Sequence, residues 1–202
     1  MTNLVSKNLE ISSENILIVP GGKVIIFFSS MLFGEPGKEI LYPNPGFPIY
    51  ESTIRFSGAK PVPIPLREEN GFAFSAEEVL SKINEKTRLI ILNSPANPTG
   101  GVVPRVEFDS LIQGLERWPN VAIMSDEIYG QMLYDSREHV SLIRYPEIND
   151  RLILLYSHIL SGKNDLEILL RRYLVTQNQC LTGSAKYFAS SEVRSANDRG
   201  SL

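Results

Sequence analysis

The feature of this 202-residue chain that most constrains its fold is a series of short, nearly continuous apolar runs. Such runs are typical of strands that helices cover on both faces, as happens in parallel sheets. The predicted strands are Ile16–Pro20, Glu39–Tyr42, Pro61–Pro65, Leu89–Asn93, Val121–Ser125 and Leu152–Tyr156.

Helical patterns separate these runs. The predicted helices are Gly22–Phe33, Ile49–Phe56, Ala76–Ile83 and Pro104–Glu116. Ser75 and Glu78 form a capping-box pattern before the third helix, and Pro104 suits the first turn of the fourth. The alternation predicts an α/β fold, a three-layer sandwich with a mostly parallel central sheet. In such sheets ligands gather at the carboxyl ends of the strands.

Composition excludes several classes of function. The net charge is −3 and the basic residues are scattered, which argues against nucleic acid or an anionic membrane as the main partner. His139 and His158 belong to no tight ligand cluster, so we predict surface or hydrogen-bonded histidines and no metal site. The first ten residues lack a signal-peptide pattern, and the single Cys180 fits a reducing, cytoplasmic setting.

Polar residues follow two of the predicted strands. Asn97 lies in an Asn-Pro-Thr-Gly turn after Leu89–Asn93, and Asp126 comes directly after Val121–Ser125, with Tyr129 three residues later. A carboxylate at the end of a buried strand is costly unless it has a partner. That partner is either another side chain, with Asp126 salt-bridged beside a buried tyrosine, or a protonated nitrogen of a ligand.

These residue types meet the requirements of pyridoxal phosphate (PLP). Its phosphate needs backbone amides at a glycine-rich turn entering a helix, which Gly21, Gly22 and Lys23 offer. Its pyridine nitrogen needs a carboxylate, which Asp126 offers, and Phe47 offers an aromatic face. Each feature also has a plainer interpretation: a βα turn with two glycines, a core phenylalanine, and an ordinary Asn-Pro turn.

Three segments together resemble the class I/II aminotransferases, which are fold-type-I PLP enzymes. The segments are Pro43–Tyr50, Asn93–Gly101 and Ser125–Tyr129, and their order and spacing match the family over about residues 11 to 155. The resemblance implies that the backbone amides of Gly22 and Lys23 hold the phosphate. It implies that the Phe47 ring stacks on the pyridine and that the Asp126 carboxylate pairs with the pyridinium. It also implies that Asn97 faces the phenolic oxygen and the substrate carboxylate, and that the Tyr129 phenol donates to the phenolic oxygen.

The activity that the resemblance implies is amino-group transfer between an amino acid and a 2-oxo acid, within amino acid metabolism. A cytoplasmic homodimer is expected by the same resemblance. Two alternatives stay open, namely a PLP-dependent lyase of the same superfamily and a non-catalytic remnant of the fold.

The family's Schiff-base lysine normally follows the next strand in a Ser-x-Ser-Lys stretch. An alignment without gaps puts Leu160 at that position, whereas a shift of three residues brings in Lys163, preceded by Ser161 and Gly162. In this register Arg171 follows eight residues later, which is the family's spacing to its phosphate-binding arginine. The resemblance therefore implies Lys163 as the catalytic lysine and Arg171 as a phosphate ligand.

The resemblance stops after Leu155. Nothing in residues 164–170 matches the family's Met-Thr-Gly-Trp stretch, and the arginine that grips the substrate carboxylate in the family has no counterpart. We expect an aminotransferase-like domain over residues 11–175 and a polar, disordered tail over residues 176–202. We hypothesise that the segment after Leu155 has diverged or is read in another frame. Translating the other frames of the coding DNA tests this.

Overall fold

The computed structural model describes residues 15–158 and 166–171, in which seven strands and four α-helices are found. None of these helices is long and apolar enough to cross a membrane. The elements are β1 (Ile16–Val19), α1 (Gly22–Phe33), β2 (Glu39–Asn44), α2 (Ile49–Phe56), β3 (Lys60–Pro65), α3 (Ala76–Lys82), β4 (Thr87–Asn93), α4 (Arg105–Gly114), β5 (Ala122–Asp126), β6 (Leu152–His158) and β7 (Leu166–Arg171).

The strands form one sheet in the order β1-β7-β6-β5-β4-β2-β3. The five neighbouring strands from β6 to β3 are parallel. β7 runs antiparallel to both β6 and β1. The predicted α/β fold with a mostly parallel sheet is confirmed, as is each of the six predicted strands within a few residues. β7 was not among the predicted strands.

Helices cover the two faces of the sheet and create two cores. On one face α1 and α2 bury residues such as Ile25 and Ile54 together with Met124 of β5. On the other face α3 and α4 bury residues such as Val79 and Phe108 with Ile123 of β5. Neighbouring residues of β5 therefore point into different cores, as strand geometry requires.

The predicted capping box at α3 is half formed. Ser75 Oγ accepts the amide of Glu78 at 3.5 Å, but the Glu78 carboxylate pairs with Arg67 at 2.7 Å instead of returning to the cap. Glu107 of α4 accepts the amide of Ala76 at 2.6 Å, so an acid from the neighbouring helix completes the start of α3. The two helices are thereby joined at this end.

A buried arginine, Arg151, joins the connection from α4 to β5 to the amino end of β6. Arg151 is 6% exposed and precedes β6. Its guanidinium donates to the backbone carbonyls of Leu115 (3.1 Å) and Val121 (3.2 Å), and also to that of Trp118. These carbonyls belong to the connection from α4 to β5, which is fixed against β6 as a result.

Candidate functional site

A cavity of about 410 Å³ opens at the carboxyl ends of the parallel strands. Of the seven residues that the sequence assigns to cofactor binding, all but the tentative Arg171 lie on its wall. The full lining is Pro20, Gly21, Gly22, Lys23, Ile26, Phe47, Tyr50, Asn93, Asn97, Asp126, Ile128, Tyr129 and Leu155. The structure thus brings together segments that are more than a hundred residues apart in the chain.

Asp126 is the buried carboxylate of this cavity. It ends β5, is 5% exposed, and accepts the Tyr50 hydroxyl at 2.6 Å on Oδ2. Among the described residues, its other oxygen, Oδ1, receives only the Ile128 amide, at 3.4 Å. Burial raises the pKa of Asp126 to about 6, and the Tyr50 hydrogen bond offsets part of this. Within residues 15–158 no ion pair to Asp126 is found, and its side-chain partner there is the hydroxyl of Tyr50.

Tyr50 is a site residue that the sequence interpretation missed. It lies in the first turn of α2, fully buried, and its ring meets that of Phe47 edge-on at 5.8 Å. Burial and the neighbouring Asp126 raise the pKa of Tyr50 well above its ordinary value, so its hydroxyl remains a donor. Its position three residues after Phe47, at the start of the predicted helix Ile49–Phe56, was the available signal.

A chain of amide contacts links the two motifs of the sequence. Asn93 Nδ2 donates to the backbone carbonyl of Asp126 at 2.9 Å, and Asn93 Oδ1 accepts the backbone amide of Asn97 at 2.8 Å. Asn97 Nδ2 then lies 3.3 Å from the Tyr129 hydroxyl, to which it donates. Asn93 was not assigned a role, although a buried amide at a strand end needs a partner.

The start of α1 forms another part of the cavity wall. Gly21 adopts φ 95° and caps the helix without a side-chain hydrogen bond, and the first turn contains no acidic residue. First-turn amides have no acceptor within their own helix, and the helix dipole adds positive charge there. Gly22 and Lys23 border the cavity at this point, which makes the turn suitable for an anion.

Two tentative site residues, Lys163 and Arg171, belong to the C-terminal part of the chain. Lys163 lies outside the described residues. The backbone of Arg171 pairs with Ile153, near the amino end of β6, whereas the cavity lies at the carboxyl ends. This placement gives no support to Arg171 as a phosphate ligand.

A second cavity, of about 350 Å³, lies beside the first. Asn97 and Tyr129 line both cavities, so this pair forms part of the wall between them. The turn around Asn97 and the loop after Tyr129 supply the rest of the second cavity, the loop through residues that include Met132, Tyr134 and Arg137.

The predicted hydrogen-bonded state of His139 is confirmed. Its Nε2 atom lies 2.8 Å from Glu127 Oε2, on the face of the sheet opposite Asp126. Ser125 Oγ and the Leu142 amide both donate to Glu127 Oε1 at 2.9 Å.

Comparison with known proteins agrees with this geometry. The family model described as "Aminotransferase class I and II" matches residues 2–158. The match begins nine residues before the resemblance found from motifs and ends three residues after it.

Curated relatives carry aminotransferase names. The chain is 34% identical over 156 residues to the arginine–pyruvate transaminase of Pseudomonas aeruginosa, covering 75% of this chain and 39% of the relative. It is 36% identical over 143 residues to an aspartate aminotransferase of Pyrococcus horikoshii, covering 70% and 36%. The chain therefore spans little more than a third of the length of these relatives.

Solved structures share the fold over a similar part. The aromatic aminotransferase of Pyrococcus horikoshii superposes with a TM-score of 0.76 at 24% identity, covering 84% of this chain and 48% of that one. The aspartate aminotransferase of Rhizobium meliloti gives 0.72 at 26% identity, covering 80% and 42%.

Proposed function

Because the chain belongs to the class I and II aminotransferase family, we propose that it is the cofactor-binding part of a PLP-dependent aminotransferase. The reaction is transfer of an amino group between an amino acid and a 2-oxo acid. The observation that carries the proposal is the single cavity on which Gly22, Lys23, Phe47, Asn97, Asp126 and Tyr129 meet.

The residues present fit PLP on the ground of Asp126. This carboxylate is buried and has a raised pKa, and one of its oxygens accepts a single long hydrogen bond from the part of the chain that the structure describes. A protonated ring nitrogen supplies both the positive charge and the hydrogen-bond donor that Asp126 lacks. A cation beside a carboxylate also lowers the pKa of that carboxylate. When bound, PLP supplies an electron sink for bond changes at the substrate Cα.

The remaining walls of the cavity suit the other parts of the cofactor. The first-turn amides of α1 at Gly22 and Lys23 bind the phosphate, because they lack intrahelical acceptors. Phe47 is half-buried and is held by its edge contact with Tyr50, so it offers a face to the pyridine ring. Tyr129 donates to the phenolic oxygen.

Asn97 has two roles in this proposal. Its side-chain amide already contacts the Tyr129 hydroxyl at 3.3 Å, so it lies within reach of the phenolic oxygen that both residues bind. It also faces the substrate carboxylate. The turn that presents it is held by the Asn93 side chain, which fixes the backbone amide of Asn97.

Lys163 is the lysine that we propose for covalent attachment of the cofactor. Its free amine takes the proton from the substrate Cα and returns it during transfer. Arg171 is left out of the proposed phosphate site because its backbone lies beside Ile153.

The names of relatives support the substrate class. They include an arginine–pyruvate transaminase and aspartate aminotransferases, whose substrates are an amino acid and a 2-oxo acid. A cytoplasmic homodimer acting in amino acid metabolism belongs to the same proposal.

A second candidate is PLP binding without catalysis. It is favoured by the end of the family match at residue 158, because Lys163 lies beyond it. The two candidates share the cavity and differ only in whether a lysine reaches the cofactor.

One experiment tests both candidates. We would titrate the purified 202-residue chain with PLP, record visible difference spectra, and treat the complex with borohydride. Aminotransferase chemistry predicts covalent trapping that is lost in Lys163→Ala and kept in Lys86→Ala, an exposed lysine on the loop before β4. Saturable binding without trapping supports the non-catalytic candidate. Absence of any saturable binding overturns the proposed function.

A further inference from the structure

A second buried carboxylate directly follows Asp126 in the sequence. Glu127 is 2% exposed and accepts hydrogen bonds from the Ser125 hydroxyl, the Leu142 amide and His139. Three donors within 2.9 Å compensate the loss of water around the charge. Its own amide donates to the Leu155 carbonyl at 2.9 Å, which fixes it to β6. Glu127 therefore fastens both ends of the loop between Asp126 and Leu142.

The His139 ring is held against the backbone of this loop. A Cβ atom added at Gly130 would lie 2.8 Å from His139 Cδ2 and 3.0 Å from its Nε2, so the ring packs directly on the glycine. The His139 side chain is 15% exposed. Its Nδ1 atom is buried and has no hydrogen-bond partner among the described residues. Its contact with Glu127 and its packing on Gly130 therefore hold the ring in place.

Gly130 closes the turn that presents Tyr129. Its amide donates to the Glu127 carbonyl at 2.9 Å, and the Met132 amide donates to the Tyr129 carbonyl at 2.8 Å. Tyr129 is thus enclosed between two turn hydrogen bonds. Glu127 and Gly130, which form the first of them, are the residues that contact His139.

We propose that Glu127 and His139 are positioning residues that hold the Tyr129 phenol in the cofactor cavity from the opposite face of the sheet. The pair acts through the turn 127–130, whose far side carries the hydroxyl that contacts Asn97. This inference rests on the proposed function for its consequence, which is correct placement of the donor to the phenolic oxygen of PLP.

The test is a double-mutant cycle with PLP affinity as the readout. His139→Leu removes the contact with Glu127, whereas His139→Gln keeps a side-chain N–H for it. We expect His139→Leu to weaken PLP binding about tenfold. Residues coupled through one contact network show interaction energies that correspond to changes in affinity of about this size. His139→Gln should restore most of the affinity. In a Tyr129→Phe background the loss from His139→Leu should shrink to less than about twofold.

A matched control separates positioning from general stability. Tyr145→Phe removes a hydrogen bond to Asp109 on the same face of the sheet, and neither residue belongs to the turn 127–130. It should lower the free energy of unfolding and leave PLP affinity unchanged. Equal losses of PLP affinity from His139→Leu in both backgrounds would overturn the proposal.

Two further measurements keep the proposal testable if His139→Leu does not fold or if PLP does not bind. Gly130→Ala pushes the ring away while keeping His139, and it should reproduce the loss of affinity. If the wild-type chain binds no PLP, the proposed function fails. Tyrosine-labelled NMR of the free protein then decides the positioning role. The positioning role predicts that Gly130→Ala shifts the Tyr129 ring resonances and that His139→Gln shifts them less. Resonances that do not move in either variant would overturn the role.

Discussion

Asp126 and Glu127 are adjacent carboxylates at the end of one strand, and their surroundings differ on the two faces of the sheet. Glu127 accepts three hydrogen bonds within 2.9 Å. Asp126 accepts one short bond from Tyr50 and one long bond from Ile128, and it borders a cavity. A carboxylate that receives all its hydrogen bonds from the protein stabilises the fold. A buried carboxylate that lacks some of these hydrogen bonds is available to a ligand.

The largest effect on stability is expected at Glu127, which accepts three short hydrogen bonds. Glu127→Gln replaces an acceptor by an amide nitrogen among donors, so buried N–H and O–H groups lose their partners. The free energy of unfolding should fall by about 3 kcal/mol in urea denaturation. A loss below about 1 kcal/mol would show that Glu127 is not the structural member of the pair.

Asp126→Asn should have the opposite sign. The carboxamide resembles the protonated acid, keeps an acceptor for Tyr50 and removes the cost of burying a charge. With a folded pKa of about 6 against an ordinary 3.8, the PLP-free protein should gain about 3 kcal/mol at neutral pH while PLP affinity falls sharply. Urea denaturation and PLP titration of one preparation check both, and a destabilised Asp126→Asn would erase the contrast with Glu127.

The pH dependence of wild-type stability sharpens the same contrast. Because the pKa of Asp126 is raised in the folded state, that state holds the proton more tightly than the unfolded chain does. The contribution of Asp126 to the free energy of unfolding is therefore greatest below about pH 4, falls between about pH 4 and pH 6, and is level above that. The stability difference between Asp126→Asn and wild type should be near zero at the low end of this window and full at its upper end.

Tyr50→Phe should give the smallest change. It removes one hydrogen bond to a buried carboxylate, at a cost of about 1.5 kcal/mol near neutral pH. Since this bond lowers the pKa of Asp126, its loss should move the pH window upward. Stability measured across pH in Tyr50→Phe and in the double variant with Asp126→Asn checks this, because the shift must vanish when residue 126 no longer titrates.

Much of the fold was predictable because parallel strands covered on both faces leave short apolar runs, which helical patterns separate in this sequence. Asn97, Asp126 and Tyr129 were predictable because each stands after such a run. β7 was missed: its sequence, Leu-Glu-Ile-Leu-Leu-Arg, is a short apolar run of the kind that periodicity alone does not assign.

The differing roles of Asp126 and Glu127 were not predictable from their positions in the chain. Strand alternation predicts that the side chains of Asp126 and Glu127 point to opposite faces of the sheet. Which face holds the cavity depends on where α1 and α2 pack. The Tyr50–Asp126 bond spans 76 residues and exists only after α2 has docked. Arg151 shows the same limit, because the carbonyls to which it donates carry no side-chain signature in the sequence.

The antiparallel β7 sets an order of assembly during synthesis. β1, which leads into the anion-binding turn at Gly21 and Gly22, pairs in the described sheet with β7 alone. A ribosome releases β7 only after the five parallel strands and all four helices described here have emerged. Of the described strands, the first to be made therefore pairs only after the last has emerged. A nascent chain thus completes the Asp126 side of its cavity before the sheet edge beside the anion-binding turn.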